Sequence, residues 1–587
     1  MTRSASAAAD RHEAAYLEEL TALWQLRWPT GVAAAPAYPL GEIPLTGYLR
    51  RWARDRGDRP AIIYYGTEVS YAELDESSDR LAGFLQASGL QGGDRVAVAL
   101  PNCPQLFIAF YAILKSGCVY VPVNPGYKPQ ELLHILTDSG ARTLVTFSAA
   151  RQLIDAVSDG SAVGRMIIAD LGDYLPATPE LPLPAMLSHL GRLGEQSAFQ
   201  CGGSAIPWAD ALRAQRVSGG TQPGELDRLA ALNYTGGTTG LPKGCRHSQR
   251  NMIYAGACAR SVGVISGADA VSLVFVPLCW IAGEDYGLIA PIFTGTTCVV
   301  LARWDADAAL AAISRYGVTT MLGTVDHYVE MLHRCPAAGE RLGTLRAPLA
   351  MSFVTRLNEQ IRDQWSERAG GLSIVREAGY GMTETHALDT FTTGLQGGDA
   401  DIRSEPVFCG LPVPGTQLKI VDFGSGALVP LGSAGGLAIR SPSVCDGYWG
   451  NPAESAAVLQ DGWLHTGDIA MLDTSGYLHF LGRRKEMLKV AGASVFPAEV
   501  ESLVCRHPAV AGCGVVGMAD PRKGEIPVAF VELRESWVAS LTEVEFTAWC
   551  KENMASYKVP LVRFVDRLPL TPTGKVWKEA LRRLLYR

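Results

Sequence analysis

Between Tyr234 and Gly244 the chain reads YTGGTTGLPKG. Gly236, Gly237 and Gly240 are interleaved with Thr235, Thr238 and Thr239, and Lys243 follows. Glycines let a loop take positive φ and bring its amide N–H groups close to a guest. Threonine hydroxyls add donors and the lysine adds charge, a combination that suits a phosphate. The loop is not the common nucleotide signature, in which four residues separate two glycines and Gly-Lys-Ser/Thr closes the turn. Lys243 is instead preceded by Leu-Pro and followed by Gly-Cys, so it has to act in another frame. A Gly/Thr-rich stretch standing alone is also compatible with an ordinary turn.

The elements that would hold such a loop follow from the rest of the chain. With 587 residues and 48% hydrophobic composition, two or more domains with buried cores are expected. Lys+Arg 52 against Asp+Glu 59, a formal net charge of -7, gives no general attraction to nucleic acid. The cysteines number 13 and none forms a CxxC pair, which fits reduced thiols and a cytoplasmic setting better than a disulfide framework or a zinc knuckle. The first residues, MTRSASAAADRHEAAYLEEL, lack the sustained apolar run of a secretion signal. No window reaches the roughly 20 apolar residues of a membrane span, so no transmembrane segment is expected.

Short apolar runs at Asp94 to Asn102, Ala141 to Phe147 and Thr319 to Thr324 read as buried strands. Helical patterns at Tyr71 to Ala87 and Glu131 to Ser139 lie between them, and this alternation predicts a layered α/β fold. Residues 171–225 are rich in proline and glycine and read as an insertion. Beyond about residue 486, GCGVVGM, EIPVAFVEL and LTEVEFTAWCKENM predict a small α+β domain of about 100 residues. Its boundary is expected near Leu481 to Met487.

Four further motifs follow the Gly/Thr loop in order: GYGMTET (Gly379 to Thr385), GWLHTGD (Gly462 to Asp468), GRRKEMLKVAGASVFPAEVE (Gly482 to Glu501) and LTPTGKVWKEALR (Leu570 to Arg582). Together they resemble the adenylate-forming superfamily of acyl-CoA synthetases, carrier-protein adenylation domains and firefly luciferase. The resemblance extends upstream to SYAELDESSDRLAGFL and LKSGCVYVPVNP. It leaves about the first 40 residues outside, and their Ala-rich start is compatible with disorder. The implied architecture is an extension (1–40), a large multi-subdomain adenylating domain (41–481, with the insertion at about 171–225), a hinge (482–486) and a small mobile C-terminal domain (487–587).

The family's chemistry has two steps: a carboxylate attacks the α-phosphate of ATP, and a thiol then displaces AMP from the acyl-adenylate. By the resemblance, Lys575 bridges carboxylate and phosphate, while Thr235, Gly236, Gly237, Thr238, Thr239, Gly240 and Lys243 hold the departing phosphates. Thr383 touches the α-phosphate and Glu384 carries Mg2+, a hard cation suited to carboxylate and phosphate oxygens. Tyr380 lies against adenine, and Asp468 and Arg483 take the ribose hydroxyls. Rotation at Lys485 then exchanges the Lys575 loop for a CoA channel at Gly492.

The implied acyl pocket includes Trp280 and Gly379. Cys279-Trp280 stands where many relatives carry an aromatic-His pair, and Trp280 fits a pocket wall or an ordinary core position equally well. Gly236 in place of the more usual Ser, together with the insertion, leans toward the long-chain fatty acyl-CoA synthetases and a large hydrophobic acid. Glu284 and Asp285 would suit a substrate ammonium, a reading ranked below the hydrophobic one. Phe353, Val354 and Arg356 occupy a loop that is glycine-rich in relatives, and Gly436 stands where Glu is usual. Two alternatives to a complete CoA ligase therefore stay open: a member that mainly thioesterifies an acyl-adenylate from a separate adenylating enzyme, and a ligase that loads a separate carrier protein.

Overall fold

The computed structural model describes residues 3–150, 155, 157, 162–188, 205–217, 225–235, 241–265, 267–335, 342–404, 407–491, 493–538, 540–571 and 573–585, with side chains from residue 11 onward. Two seven-stranded sheets form the centre of the large domain. The first runs in the order Arg376–Glu377, Ala347–Met351, Thr320–Thr324, Val271–Val274, Thr297–Val300, Pro60–Tyr64 and Thr67–Ser70. The second runs Ala205–Pro207, Arg165–Ala169, Thr143–Phe147, Arg95–Val98, Val119–Pro122, Leu229–Tyr234 and Gly244–Ser248. Each is parallel except for one antiparallel strand at its end.

Parallel strands covered by helices on both faces read as continuous apolar runs. Val119–Pro122 and Thr297–Val300 accordingly bury every residue. The helix predicted at Tyr71 to Ala87 forms at those bounds because Ser70 and Glu73 close a reciprocal capping box. Within the segment read as an irregular insertion, Ala205–Pro207 is a strand that extends the second sheet beside Arg165–Ala169.

A third, antiparallel sheet contains Thr390–Phe391, Val407–Pro412, Leu478–Arg483, Trp463–Leu472, Ala434–Arg440 and Gln417–Val421. The helix Arg3–Arg27 docks on it. Leu17, Leu20 and Trp24 fall on one helical stripe and are buried. The Trp24 indole donates to the Gly476 carbonyl at 2.8 Å, and Glu13 receives both Lys419 at 2.7 Å and the Trp463 indole at 3.0 Å. From Glu13 to Trp24 the N-terminal region is thus a helix packed on this sheet.

A 3-10 turn, Arg484–Glu486, leads from the third sheet to a five-stranded one. Its strands are Ala493–Val495, Leu488–Val490, Gly524–Leu533, Val510–Asp520 and Leu561–Val565.

Candidate active site

Tyr234 and Gly244 face each other across the hairpin that carries the Gly/Thr loop. Gly236, Gly237, Thr238, Thr239 and Gly240 lie outside the described residues, as does Gly492. The stems are tied together: the Thr235 amide donates to the Lys243 carbonyl at 2.9 Å, and the Lys243 amide to Thr235 Oγ1 at 3.2 Å. The Lys243 ammonium pairs with Glu454 at 2.8 Å and lies 4.6 Å from the centroid of the Tyr448 ring.

The Thr383–Thr385 turn is held by close backbone crossings. A Cβ on Gly379 would fall 1.9 Å from the Thr390 carbonyl oxygen, and one on Gly381 only 1.2 Å from that of Ala387. Both glycines are therefore steric requirements. His386 and Ala387 then take positive φ, 53° and 72°, conformations that non-glycine residues adopt only when their surroundings enforce them. From the neighbouring strand, His247 Nε2 donates to the Thr383 carbonyl at 2.9 Å. Burial, reinforced by His386, holds the His247 ring well below the ordinary imidazole range, so it serves as a neutral donor. Glu384 Oε1 accepts from the hydroxyl of Tyr448 at 2.9 Å, the same residue whose ring lies under the Lys243 ammonium.

Asp468 and Arg483 are partners across adjacent strands, Oδ1 to Nε 2.9 Å. The Tyr380 hydroxyl donates to the other carboxylate oxygen at 2.6 Å. Burial raises the Asp468 carboxyl, while Arg483 and Tyr380 oppose that rise. Tyr380 is thus anchored to the Asp468 carboxylate by its hydroxyl, and its ring centroid lies 6.2 Å from that of Phe480.

Lys575 enters from the C-terminal domain on a turn closed by Thr571, whose amide donates to the Lys575 carbonyl at 2.7 Å. Its ammonium sits 5.2 Å from the centroid of the Phe353 ring. The ammonium is shifted below the ordinary lysine range by desolvation and then by Arg483, against the pull of Asp468 and Glu486. The Phe353 ring underlies this lysine. Val354 packs into an apolar cluster of the C-terminal domain with Leu568, Val516, Phe530 and Leu581. A Cβ on Gly512 would fall 2.6 Å from Val354 Cγ1, so glycine is needed for that approach. Lys578 bridges Glu486 at 2.8 Å and Glu501 at 3.1 Å, beside the exposed Lys485. Phe423 lies against Gly436, where a Cβ would approach its ring to 3.0 Å, and Arg484 stacks on that ring at 4.5 Å.

Trp280 is half-buried against the main core. It precedes a π-helical turn, Glu284–Ile289. Among the described residues no group of three His, Cys, Asp or Glu side chains could hold a metal by itself. A magnesium ion held by the Glu384 carboxylate, with phosphate oxygens and water completing its shell, fits that donor set.

Comparison with known proteins decides the family. The AMP-binding enzyme model matches residues 49–449, and the model of the AMP-binding enzyme C-terminal domain matches residues 499–575. The chain belongs to the AMP-binding enzyme family. It is 32% identical to a long-chain-fatty-acid–CoA ligase of Escherichia coli O157:H7, covering 89% of this chain and 91% of the relative. It is 31% identical to a feruloyl-CoA synthase of an Amycolatopsis species, covering 91% and 97%. The o-succinylbenzoate-CoA synthetase of Bacillus subtilis, solved with ATP and magnesium, superposes with a TM-score of 0.73 at 26% identity, covering 91% of this chain and 99% of that one. This AMP-binding enzyme is an ATP-dependent acyl-CoA ligase of the adenylate-forming superfamily, using ATP, Mg2+ and CoA.

The structure brings together Lys243, Thr383, Glu384, Tyr380, Asp468, Arg483 and Lys575, contributed by the second sheet's hairpin, the segment between the first and third sheets, the third sheet and the C-terminal domain. Sequence reasoning missed Tyr448, Glu454 and His247. The first two lie in YWGNPAE, just upstream of the GWLHTGD motif, where the aromatic precedes an Asn-capped helix and the acid sits in its first turn. His247 lies three residues past the loop glycine, within the strand that closes the hairpin.

Proposed function

We propose that this AMP-binding enzyme is a complete ligase that activates a large, mainly hydrophobic carboxylic acid as its acyl-adenylate and then passes the acyl group to free CoA. The observation that carries this reading is the arrival of Lys575 from the C-terminal domain beside the Asp468–Arg483 pair of the large domain. Two anions, the acid and the α-phosphate, have to be drawn together, and a lysine at that point neutralises both. In this reading Asp468 and Arg483 orient the ribose, and Lys243 leaves Glu454 to hold the outgoing phosphates. Thr383 donates to the α-phosphate from a turn fixed by His247, and magnesium on Glu384 offsets phosphate charge. In this reading the hinge is Lys485, between a large domain over 41–481 and a C-terminal domain over 487–587.

Phe353 and Val354 favour the complete reaction over the thioesterification-only alternative, because one carries the Lys575 ammonium on its ring and the other packs on the C-terminal domain. Long-chain and aromatic acids are both substrate classes named among the relatives, and both are large and hydrophobic. Among the described residues no helix is long and apolar enough to cross a membrane, and no disulfide forms, in keeping with a cytoplasmic site of action. The test is mass-spectrometric detection of acyl-CoA with long-chain, aryl and polycyclic acids, supplied as free acids with ATP, Mg2+ and CoA or as synthetic acyl-adenylates with CoA. Product from both supplies is expected. Product from adenylates alone would leave only the second half-reaction, and a requirement for a pantetheinylated carrier protein in place of CoA would change the acceptor.

A further inference from the structure

The segment Cys279–Ala290 and the turn after Thr383 meet in a cluster of ionisable side chains that the adenylation chemistry does not use. Along the segment, Ile281, Ala282 and Asp285 share a helical face and are half-buried, whereas Glu284 and Tyr286 to Ala290 are buried. The residues Ala378–Glu384, Ala387 and Leu388 are likewise accessible, apart from buried Thr385 and His386 among them. Asp285 is where the two segments touch: its Oδ1 lies 2.7 Å from His386 Nδ1. Behind it, Glu284 Oε1 lies 3.7 Å from His386 Nε2, and Glu284 Oε2 accepts from Asn233 at 2.6 Å.

The hydrogen-bond census of this cluster does not close. Asp285 Oδ2, Glu284 Oε1, Asn233 Oδ1 and Asp389 Oδ1 are all buried without a hydrogen-bond partner, and so are His386 Nε2 and His247 Nδ1. His386 is fully buried and Asn233 is 2% exposed, and both side chains are aimed into the cluster. Among the described residues, no lysine or arginine pairs with Glu284 or Asp285. Buried polar groups are ordinarily satisfied, and a buried carboxyl without a cation is costly. With Glu284 and Asp285 ionised the surplus is of acceptors, which a donor of positive character would satisfy. Desolvation raises both carboxyls well above the carboxylate range; an arriving cation would take the place of a proton that leaves for solvent. Among the described residues no group of three such side chains could hold a metal, and two neighbouring carboxyls suit an organic cation.

We propose that the acid substrate carries a basic nitrogen on the part of its body remote from the reacting carboxyl, and that Asp285, backed by His386 and Glu284, receives it. This rests on the ligase reading above and narrows its substrate: the body is hydrophobic and packs along Trp280, Ile281 and Ala282, and the far end is an ammonium. Asp285 is then a specificity-determining residue. A site built around a hydrogen-bonding substrate group rejects the analogue that lacks it far more strongly than an apolar pocket rejects an extra methylene.

The test compares acyl-CoA formation from matched acids differing only by amino in place of methyl, in ω-substituted alkanoic and aryl series, with wild type, Asp285→Asn and Asp285→Leu. Wild type is expected to favour the amino member of at least one pair by about 100-fold or more in kcat/KM. Asp285→Leu is expected to bring that ratio to one or below, and Asp285→Asn to an intermediate value. Wild type that converts methyl acids as well as or better than their amino partners overturns the substrate proposal while leaving the ligase standing. An unchanged amino-to-methyl ratio in Asp285→Leu overturns the role of Asp285. Absence of acyl-CoA from every acid, neutral or basic, overturns the ligase reading as well.

Discussion

The ammonium of Lys575, on the C-terminal domain, rests 5.2 Å from the centroid of the Phe353 ring on the large domain. Val354, the next residue, packs half-buried against C-terminal apolar side chains. A loop that departs from the family pattern is thereby a contact between the two domains. Val354→Asp would place a charge in that apolar cluster. Adenylation is expected to fall by an order of magnitude or more, with thioesterification of a supplied adenylate less affected; separate rates for the two half-reactions, measured by pyrophosphate release and by acyl-CoA appearance, check this.

Glu384 presents a carboxylate that accepts from Tyr448, whose ring in turn lies under the Lys243 ammonium. Glu384→Gln keeps the shape and the Tyr448 hydrogen bond but removes the charge that would hold magnesium. Adenylation is expected to drop about 10²–10³-fold, the scale of losing one electrostatic stabiliser, with a higher Mg2+ concentration needed for half-maximal rate. A magnesium titration of both proteins decides it, and an unchanged Mg2+ dependence would remove Glu384 from the metal site.

Asp389 is fully buried, and desolvation raises its carboxyl from 3.8 to about 8, with Thr385 opposing and Asp285 and Glu384 adding to the rise. The folded protein therefore keeps this proton at pH values where the unfolded chain has lost it. Its contribution to stability is complete below the unfolded value, declines as pH climbs from about 4 to about 8, and is flat above that. Asp389→Asn removes this slope, so the difference in thermal midpoint between wild type and variant should change in favour of the variant as pH rises through that window.

Trp24 buries its ring and donates to the Gly476 carbonyl. Trp24→Ala leaves a cavity and an unpaired carbonyl beneath the N-terminal helix, at a cost of about 3–5 kcal/mol. A lower thermal midpoint is expected, together with earlier proteolysis of the Arg3–Arg27 helix. An unchanged midpoint would mean that the helix is dispensable to the fold.

Much of the layered α/β fold was legible because its strands are short, apolar and separated by capped helices. Tyr71–Ala87 was bounded by the Ser70–Glu73 capping box, which acts within a few residues. The docked N-terminal helix was not legible. Its stripe of Leu17, Leu20 and Trp24 is short, and its partners, Lys419, Trp463 and Gly476, are remote in sequence. The motif residues Lys243, Thr383, Glu384, Asp468, Arg483 and Lys575 could be named from pattern. The roles of Phe353 and Val354 could not, since what they touch depends on how the C-terminal domain docks. The Asp285–His386 contact likewise joins residues 101 positions apart, and neither residue type alone indicates it.

The most direct test of the account is Lys575→Ala assayed separately in each half-reaction with a wild-type substrate. The account predicts that adenylate formation falls by at least about 10²-fold, while acyl-CoA formation from the preformed adenylate stays within a few-fold of wild type. Equal loss in both half-reactions would contradict the assignment of Lys575 to the first step and the exchange of catalytic groups about Lys485.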